Sequence, residues 1–276
     1  MKKTITYLLT MLSITTACGQ QKTHVTTDQK KNIANELTME NDSIFEVDVF
    51  QTKSGKTIKL YTLMHGSIRI QYGDKVIYVD PVTKLGDRTV DFTAMPKADY
   101  LLVTHEHGDH LDKTAIDKLV KGHTDEASTT GKSVLITNRR CADMLGHGNV
   151  MKNGDVRKLA DDFTIEAVPA YNTTEGHLQF HPKGRDNGFI LTLDDMRIYV
   201  AGDTEDIPEM ASIKNIDIAF LPCNQPYTMT VEQLVRAAKT VKPKVLFPYH
   251  FGQTNVKDVP AMLKDEGIDV RIRRYE

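Results

Sequence analysis

Three histidines and an aspartate lie within six consecutive residues, directly after an apolar run from Tyr100 to Val103. The segment reads His105-Glu106-His107-Gly108-Asp109-His110. Side chains of an extended chain alternate, so His105, His107 and Asp109 begin on one side, and Gly108 allows a turn that brings His110 toward them. Zinc takes imidazole nitrogens and carboxylate oxygens as ligands, and a catalytic site leaves one position for water. The segment therefore predicts one loop that serves two adjacent metal positions.

Two more candidate ligands follow predicted strands much later in the chain. The strand Arg197 to Ala201 leads into Gly202-Asp203-Thr204, and the strand Lys244 to Phe247 leads into Pro248-Tyr249-His250. The carboxyl ends of buried strands are where α/β proteins place their chemistry. Asp203 also suits a turn or a helix N-cap, and His250 also suits a hydrogen-bonded core position. The residues alone leave both interpretations open.

Taken in order, these segments resemble the metallo-β-lactamase superfamily. The similarity extends to His65-Gly66-Ser67, Gly73-Asp74-Lys75, Val79-Asp80-Pro81, the turn from Pro222 to Met229 and Lys242-Pro243-Lys244. It covers roughly residues 58 to 273 and is strongest to the branch of ascorbate-6-phosphate lactonase-like hydrolases, with phospholipase D-like hydrolases more distant. The resemblance implies an α/β fold, a four-layered αββα sandwich, with a dinuclear metal site at one edge of its two sheets.

The resemblance also implies a ligand set. It assigns His105 and His107 to a first ion, Asp109, His110 and His250 to a second, and Asp203 to both, with catalytic roles for Asp109, His110 and Asp203. The position of the third histidine of the first ion follows the strand from Phe163 and holds Tyr171-Asn172 instead. Asn172, His65, His177 or His181 could replace it, or the site could hold a single or weakly bound ion.

Composition is typical of one enzyme-sized domain. The chain has 276 residues, 40% of them hydrophobic, which suffices for a substantial core. Its net charge of −2 provides no basic stripe for a nucleic acid, so we expect a small-molecule substrate. Hydrophobic periodicity predicts hairpin strands from Ile58 to Val79, helices at Asp112–Val120, Arg139–Leu145 and Val231–Val241, and a capping box at Thr230 and Gln233.

The N-terminus is typical of an exported protein. Lys2 and Lys3 precede a short apolar stretch and the sequence Thr15-Thr16-Ala17-Cys18-Gly19, which resembles a bacterial lipoprotein signal with Cys18 as the lipidated residue. We therefore predict a signal peptide over 1–17, a flexible polar tether over 18–45 and a hydrolase domain over 46–276. This organisation predicts a lipid-anchored protein that faces the periplasm or the cell exterior. Ordinary secretion and a cytosolic N-terminus are the alternatives.

Several side chains are candidates for the substrate pocket. Tyr171, Tyr227 and Tyr249 could donate to an oxyanion, and His65 could face the substrate. The loop 172–187 carries His177, His181, Lys183 and Arg185, which could meet a phosphate or carboxylate. Cys223 could line the pocket, and Cys141 and Cys223 could pair or remain free thiols.

The predicted reaction is hydrolysis. A metal-bound hydroxide would cleave a small ester, lactone or phosphodiester. Zinc is the expected metal, as one or two ions, with manganese or iron as alternatives. An iron-dependent redox protein on the same fold and a metal-binding lipoprotein without turnover are the alternative functions. The natural substrate and the oligomeric state do not follow from the sequence.

Overall fold

A computed structural model of the protein describes residues 44–121 and 132–275. The predicted signal peptide, nearly all of the predicted tether and Cys18 lie outside these ranges, so the prediction of a lipid anchor remains a prediction. In the described ranges, no helix has the length and apolar character required to cross a membrane.

The first half of the chain forms one seven-stranded sheet. Its elements, in chain order, are β1 (Glu46–Gln51), β2 (Thr57–Met64), β3 (Ser67–Tyr72), β4 (Lys75–Val79), a small hairpin of β5 (Lys84–Leu85) and β6 (Arg88–Thr89), a 3-10 helix (Phe92–Ala94), β7 (Tyr100–Val103), α1 (Lys113–Leu119), β8 (Val134–Thr137), α2 (Arg139–Leu145) and β9 (Asn149–Val150). The sheet order is β1-β2-β3-β4-β7-β8-β9. Strands β1 to β4 pair antiparallel, whereas β4, β7, β8 and β9 run parallel.

The second half forms an equivalent sheet. Its elements are β10 (Val156–Ala160), β11 (Phe163–Ala170), β12 (Asp186–Leu193), β13 (Met196–Val200), a 3-10 helix (Pro208–Ser212), β14 (Ile218–Pro222), α3 (Val231–Val241), β15 (Val245–Tyr249), α4 (Val259–Met262) and β16 (Asp269–Val270). These strands lie side by side in chain order, antiparallel from β10 to β13 and parallel from β13 to β16.

Helices cover the outer faces of the two stacked sheets. The core between the sheets takes residues from both, such as Ile70 and Leu102 from the first and Phe189 and Phe220 from the second. On the outside of the second sheet, α3 buries Leu234 and its neighbours, and α1 packs Ile116 and its neighbours against the first. The predicted αββα sandwich is confirmed.

Most predicted elements are found within two residues of their predicted ends. The helix Val231–Val241 has the predicted bounds, and its capping box of Thr230 and Gln233 is formed. Strands β5, β6, β9 and β16 have only two residues each, too few to show an alternating pattern. The predicted strand at Arg197–Ala201 instead spans Met196–Val200.

The segment after β16 connects the two sheets beside the β2–β3 turn. The carboxylate of Asp48, on edge strand β1, accepts hydrogen bonds from Arg271 (2.8 Å) and from Arg273 (2.6 and 2.8 Å). Further on, the carbonyl of Tyr275 accepts a hydrogen bond from the backbone N–H of His65 (3.0 Å). The last residues of the chain therefore fix the backbone of a histidine in the β2–β3 turn.

We predict that Asp48→Asn destabilises the fold by about 1–3 kcal/mol, because it leaves two arginines with a neutral partner in a largely buried position. Asp48 is only 6% exposed. The urea midpoint of unfolding measures the effect. Asp74→Asn is the control, since the Asp74 carboxylate is 88% exposed, and an equal loss in both variants would contradict the role of Asp48.

Candidate metal centre

The histidine-rich segment follows β7 and turns at its end. His105 and His107 continue beyond the strand, and the carbonyl of His107 then accepts hydrogen bonds from the N–H groups of His110 (2.9 Å) and Leu111 (2.8 Å). The side chains of His105 and His110 are fully buried. The predicted turn at Gly108 forms, although this glycine does not need the left-handed backbone region.

The two distal candidates reach the same point from the second sheet. Asp203 follows β13 after Gly202, whose φ is +65°, and His250 follows β15 with its own φ at +48°. Both side chains are almost fully buried. Left-handed backbone at a non-glycine residue costs free energy and is concentrated at functional sites. His65 and Asp80, with φ of +52° and +45°, share this conformation beside the same cluster.

Two groups of potential metal ligands meet at Asp203. In the first, ligand atoms of His105, His107, His181 and Asp203 lie within 4.8 Å of one another, and in the second, those of His110, Asp203 and His250 do so. A third overlapping group contains His65, Asp109 and His250. The structure thus brings together every residue of the predicted ligand set, together with His181 and His65, two of the candidates for the missing ligand.

Neighbouring groups orient three of the imidazoles. The Nδ1 atoms of His110 and His181 lie 2.8 and 3.0 Å from carboxylate oxygens of Asp80 and Asp186. The Nδ1 atom of His105 lies 2.9 Å from the hydroxyl of Thr104. Each ring therefore directs its Nε2 atom toward Asp203, as in metal sites where a carboxylate fixes the ligating tautomer. Sequence reasoning missed Asp186, and Asp80 was noted only within a motif.

The inward-facing atoms fit a bound cation. The Nε2 atoms of His110, His181 and His250 are buried and form no hydrogen bond to any described residue. Each lies 3.3 Å from an oxygen of Asp203. Tetrahedral ligands about 2.1 Å from a zinc ion would be separated by roughly 3.4 Å. The buried atoms therefore have the spacing of ligands around a shared ion, and a metal would satisfy them.

Burial lowers the pKa of some of these imidazoles, and nearby carboxylates raise the pKa of others. Burial holds the pKa of His105 well below its ordinary value and lowers that of His107 and His250. Burial opposes charge on His110 and His181 as well, but nearby carboxylates, Asp203 among them, raise the pKa of His110 strongly and that of His181 to about 9.

The pKa values of the two carboxylates are lowered. Burial opposes the charge of Asp203 and Asp109, yet His110 and His250 hold the pKa of each far below its ordinary range. Without a metal, the anionic carboxylates are therefore balanced at neutral pH by protons on His110 and His181. A binding ion must displace these protons, so metal binding strengthens as the pH rises.

His181 occupies the place that the sequence left without a histidine. The backbone N–H of Asn172 donates to the carbonyl of His181 (2.8 Å), so the loop between these residues closes on itself. The end of this loop therefore places the His181 imidazole at the edge of the sheet, beside Asn172. The expected position is thus supplied nine residues later in the chain, which no fixed spacing could reveal.

The other substitutes for this ligand lie elsewhere. The amide Nδ2 of Asn172 donates to the carbonyls of His177 and Tyr227. The Nδ1 atom of His177 faces Glu205 at 3.5 Å. His65 lies in the third group, with its Nε2 atom 3.3 Å from Asp109. These contacts favour His181 over Asn172 and His177 as the additional ligand of the first group.

A cavity of about 410 Å³ opens onto the cluster. It is lined by His107, Asp109, Phe180, His181, Asp203, Asn224 and Tyr227. Of the three tyrosines considered for the pocket, only Tyr227 lines it. The hydroxyl of Tyr171 donates to Glu209 on the surface, and Tyr249 is buried between the sheets.

The structure does not support two further candidates for the pocket. Cys223 is packed in the core beneath α3 and does not line the cavity, and both Cys141 and Cys223 are free thiols. The predicted cationic cluster of the 172–187 loop does not face the cavity as a unit. Lys183 contacts Glu209 at 2.8 Å, and Arg185 contacts Asp186 at 2.7 Å.

The side chain of Glu106 points away from the ligands, as alternation along an extended chain predicts. It contacts arginines that lie behind the metal ligands. Its carboxylate, only 7% exposed, contacts Arg140 at 3.0 Å and Arg185 at 3.4 Å. Arg185 in turn binds both oxygens of Asp186. The first histidine motif is thus connected through Arg185 to the carboxylate that orients His181.

This architecture and this donor cluster define a metal-dependent hydrolase, and sequence comparison identifies its family. The profile of the β-lactamase superfamily domain matches residues 59–250. The chain belongs to the β-lactamase superfamily.

Relatives and solved structures agree with this assignment. The chain is 31% identical over 199 residues to a UPF0173 metal-dependent hydrolase from Geobacillus thermodenitrificans, covering 68% of this chain and 82% of that one. A similar protein from Pelotomaculum thermopropionicum is 30% identical, covering 70% and 84%. A crystal structure from Parabacteroides distasonis, described as a metal-dependent hydrolase, is 51% identical with a TM-score of 0.77, covering 84% of this chain and all of that one.

We predict that Gly202→Ala destabilises the protein more than Gly176→Ala by about 1–3 kcal/mol. Both glycines have positive φ, but a Cβ at Gly202 would lie 2.8 Å from the carbonyl oxygen of Asn187, whereas one at Gly176 meets nothing within 4 Å. The Gly176→Ala control therefore measures only the free-energy cost of a side chain on left-handed backbone. Thermal unfolding measures the difference, and equal melting temperatures would show that the approach to Asn187 is not restrictive.

Proposed function

We propose that this protein holds two divalent ions, with zinc as the expected metal, and hydrolyses a small ester, lactone or phosphodiester. The observation that carries the proposal is the position of Asp203 between the two donor groups. Its Oδ1 atom lies 3.3 Å from Nε2 of His110, and its Oδ2 atom lies 3.3 Å from Nε2 of both His181 and His250. One carboxylate is thereby available to two ions.

The donor set favours zinc on chemical grounds. The two groups offer mainly imidazole nitrogens with one or two carboxylates, which suit zinc, whereas magnesium and calcium prefer sites made of oxygen. Manganese and iron also accept such mixed sets, so the metal itself must be measured. When bound, such ions would lower the pKa of a water molecule to about 7 and polarise the bond under attack.

The chain's own residues supply the remaining functions. Asp203 would fix the spacing between the two metal positions from its buried place. Asp109 lines the cavity, with its side chain 30% exposed, so it can accept a hydrogen bond from the attacking water as well as contribute to the second position. His110, held by Asp80, would keep its Nε2 atom directed at that position.

We also propose that the domain acts at a membrane surface, attached through lipidated Cys18. The support is the signal-like sequence before Cys18 and the polar segment that follows it. Metabolic labelling with a fatty acid, compared between the native chain and Cys18→Ser, would decide between an anchored and a freely secreted protein.

We expect protein purified without chelators to contain two ions per chain and to hydrolyse at least one member of a panel of aryl esters, lactones and phosphodiesters. Asp203→Asn should lower the ion content to one or less and the turnover at least about 100-fold, since it removes the charge shared by both positions. Elemental analysis and initial rates measure these effects. Asp161→Asn, at a fully exposed carboxylate, is the control.

The outcomes separate the proposed function from its alternatives. Full metal content without turnover of any panel member would favour a metal-binding protein that is not a hydrolase. Bound iron together with consumption of oxygen would favour a redox protein. Unchanged turnover in Asp203→Asn would contradict the shared position of Asp203.

We predict that His181→Ala lowers the metal content from two ions to one, because it removes the fourth donor of the first group. His177→Ala should retain two ions, since His177 faces Glu205 instead. Elemental analysis after dialysis, and the absorption spectrum of cobalt-substituted protein, measure the occupancy. Loss of an ion in Asn172→Ala but not in His181→Ala would mean that the amide is the ligand after all.

A further inference from the structure

We infer that the part of the substrate remote from the metal centre is uncharged and apolar, and that it contacts an aromatic wall formed by Phe180 and Tyr227. This inference rests on the proposed function and narrows its substrate class. It distinguishes the expected substrate from a phosphorylated lactone, which would present a charged group at this end of the cavity.

The aromatic wall lies beside the metal ligands and outside the core. The two rings meet edge to face, with centroids 4.9 Å apart, and both line the cavity next to His107 and His181. Neither ring belongs to the hydrophobic clusters of the described chain. Tyr227 remains 43% exposed. Aromatic side chains that line a cavity and take no part in the core mark a binding surface.

The basic side chains of the surrounding loop are engaged by carboxylates. Lys183 contacts Glu209 at 2.8 Å and the Tyr171 hydroxyl at 3.0 Å, on the outer side of the loop. Arg185, only 16% exposed, is held by Asp186 and Glu106. In the described part of the chain, no lysine or arginine lines the cavity. An anionic substituent would therefore lose its hydration without gaining a lysine or arginine as partner, and beyond the metal ligands it would meet only uncharged groups such as the Asn224 amide.

The buried side-chain amide of Asn172 is hydrogen-bonded to both segments that carry the aromatic wall. The Nδ2 of Asn172, a residue that is 2% exposed, donates to the carbonyl of His177 (3.2 Å) in the loop that carries Phe180. It also donates to the carbonyl of Tyr227 (2.9 Å) in the turn after β14. We assign Asn172 as a positioning residue for the aromatic wall, in place of the metal ligand that its sequence position indicated.

The test compares three methyl esters with the same leaving group: methyl acetate, methyl phenylacetate and its para-carboxylate. With metal-loaded protein, we expect kcat/KM for methyl phenylacetate to exceed that for each of the others at least about 10-fold, since a buried ring gains hydrophobic free energy and a carboxylate finds no partner. Phe180→Ala should reduce the ratio of phenylacetate to acetate at least about fivefold.

Two further variants test separately the aromatic ring and the residue that positions it. Tyr227→Phe keeps the aromatic surface and should keep the ratio, whereas Asn172→Ala should reduce it while both metal ions remain bound. Met144→Ala is the control, because Met144 is an exposed apolar residue on α2, away from the cavity. It should leave all three rates unchanged.

A binding measurement distinguishes failure of this inference from failure of the proposed function. N-methylphenylacetamide is a neutral, slowly hydrolysed analogue, and ligand-observed NMR should show that it binds native protein and loses binding in Phe180→Ala. If no ester is hydrolysed but this pattern holds, the inference stands and hydrolysis of esters does not. Equal rates for the neutral and para-carboxylate esters, or equal analogue binding by native protein and Phe180→Ala, would overturn the inference.

Discussion

The buried carboxylate of Asp203 sets the electrostatic requirement that the rest of the site satisfies. Removing a carboxylate from water costs several kcal/mol unless positive charge surrounds it. Asp203 is 2% exposed and faces imidazole nitrogens of His110, His181 and His250 at 3.3 Å. In the absence of a metal, protonated histidines neutralise it. Metal ions do so more effectively, because they bind the remaining imidazole nitrogens at the same time.

The two-sheet architecture is what gathers these groups from distant parts of the sequence. Parallel strands β4 and β7 end at Asp80 and the histidine motif, and parallel strands β13 and β15 end before Asp203 and His250. The core between the sheets holds these strand ends at one edge. The cost of left-handed backbone at His65, Asp80 and His250 is met by that packing, so the ligands are held in place before any ion arrives.

The fold and the ligand assignment were predicted from the resemblance to a known superfamily, and local patterns supplied the elements and candidate ligands on which that resemblance rests. Alternating and helical periodicities located the long strands and helices, and strand ends located His105, Asp203 and His250. The sequence could not choose between Asn172 and His181 as the additional ligand, because a loop that closes through a backbone hydrogen bond has no characteristic spacing. The charges of Lys183 and Arg185 were visible in the sequence, but their carboxylate partners Glu209 and Glu106 are assigned only by tertiary contacts.

The hydrogen bond from His65 to the carbonyl of Tyr275 places the segment after β16 in the supporting structure of the cluster. Loosening of this segment would free the β2–β3 turn and with it the His65 imidazole, whose Nε2 atom lies 3.3 Å from Asp109. Local opening at this edge of the sandwich is therefore coupled to the geometry of the metal ligands.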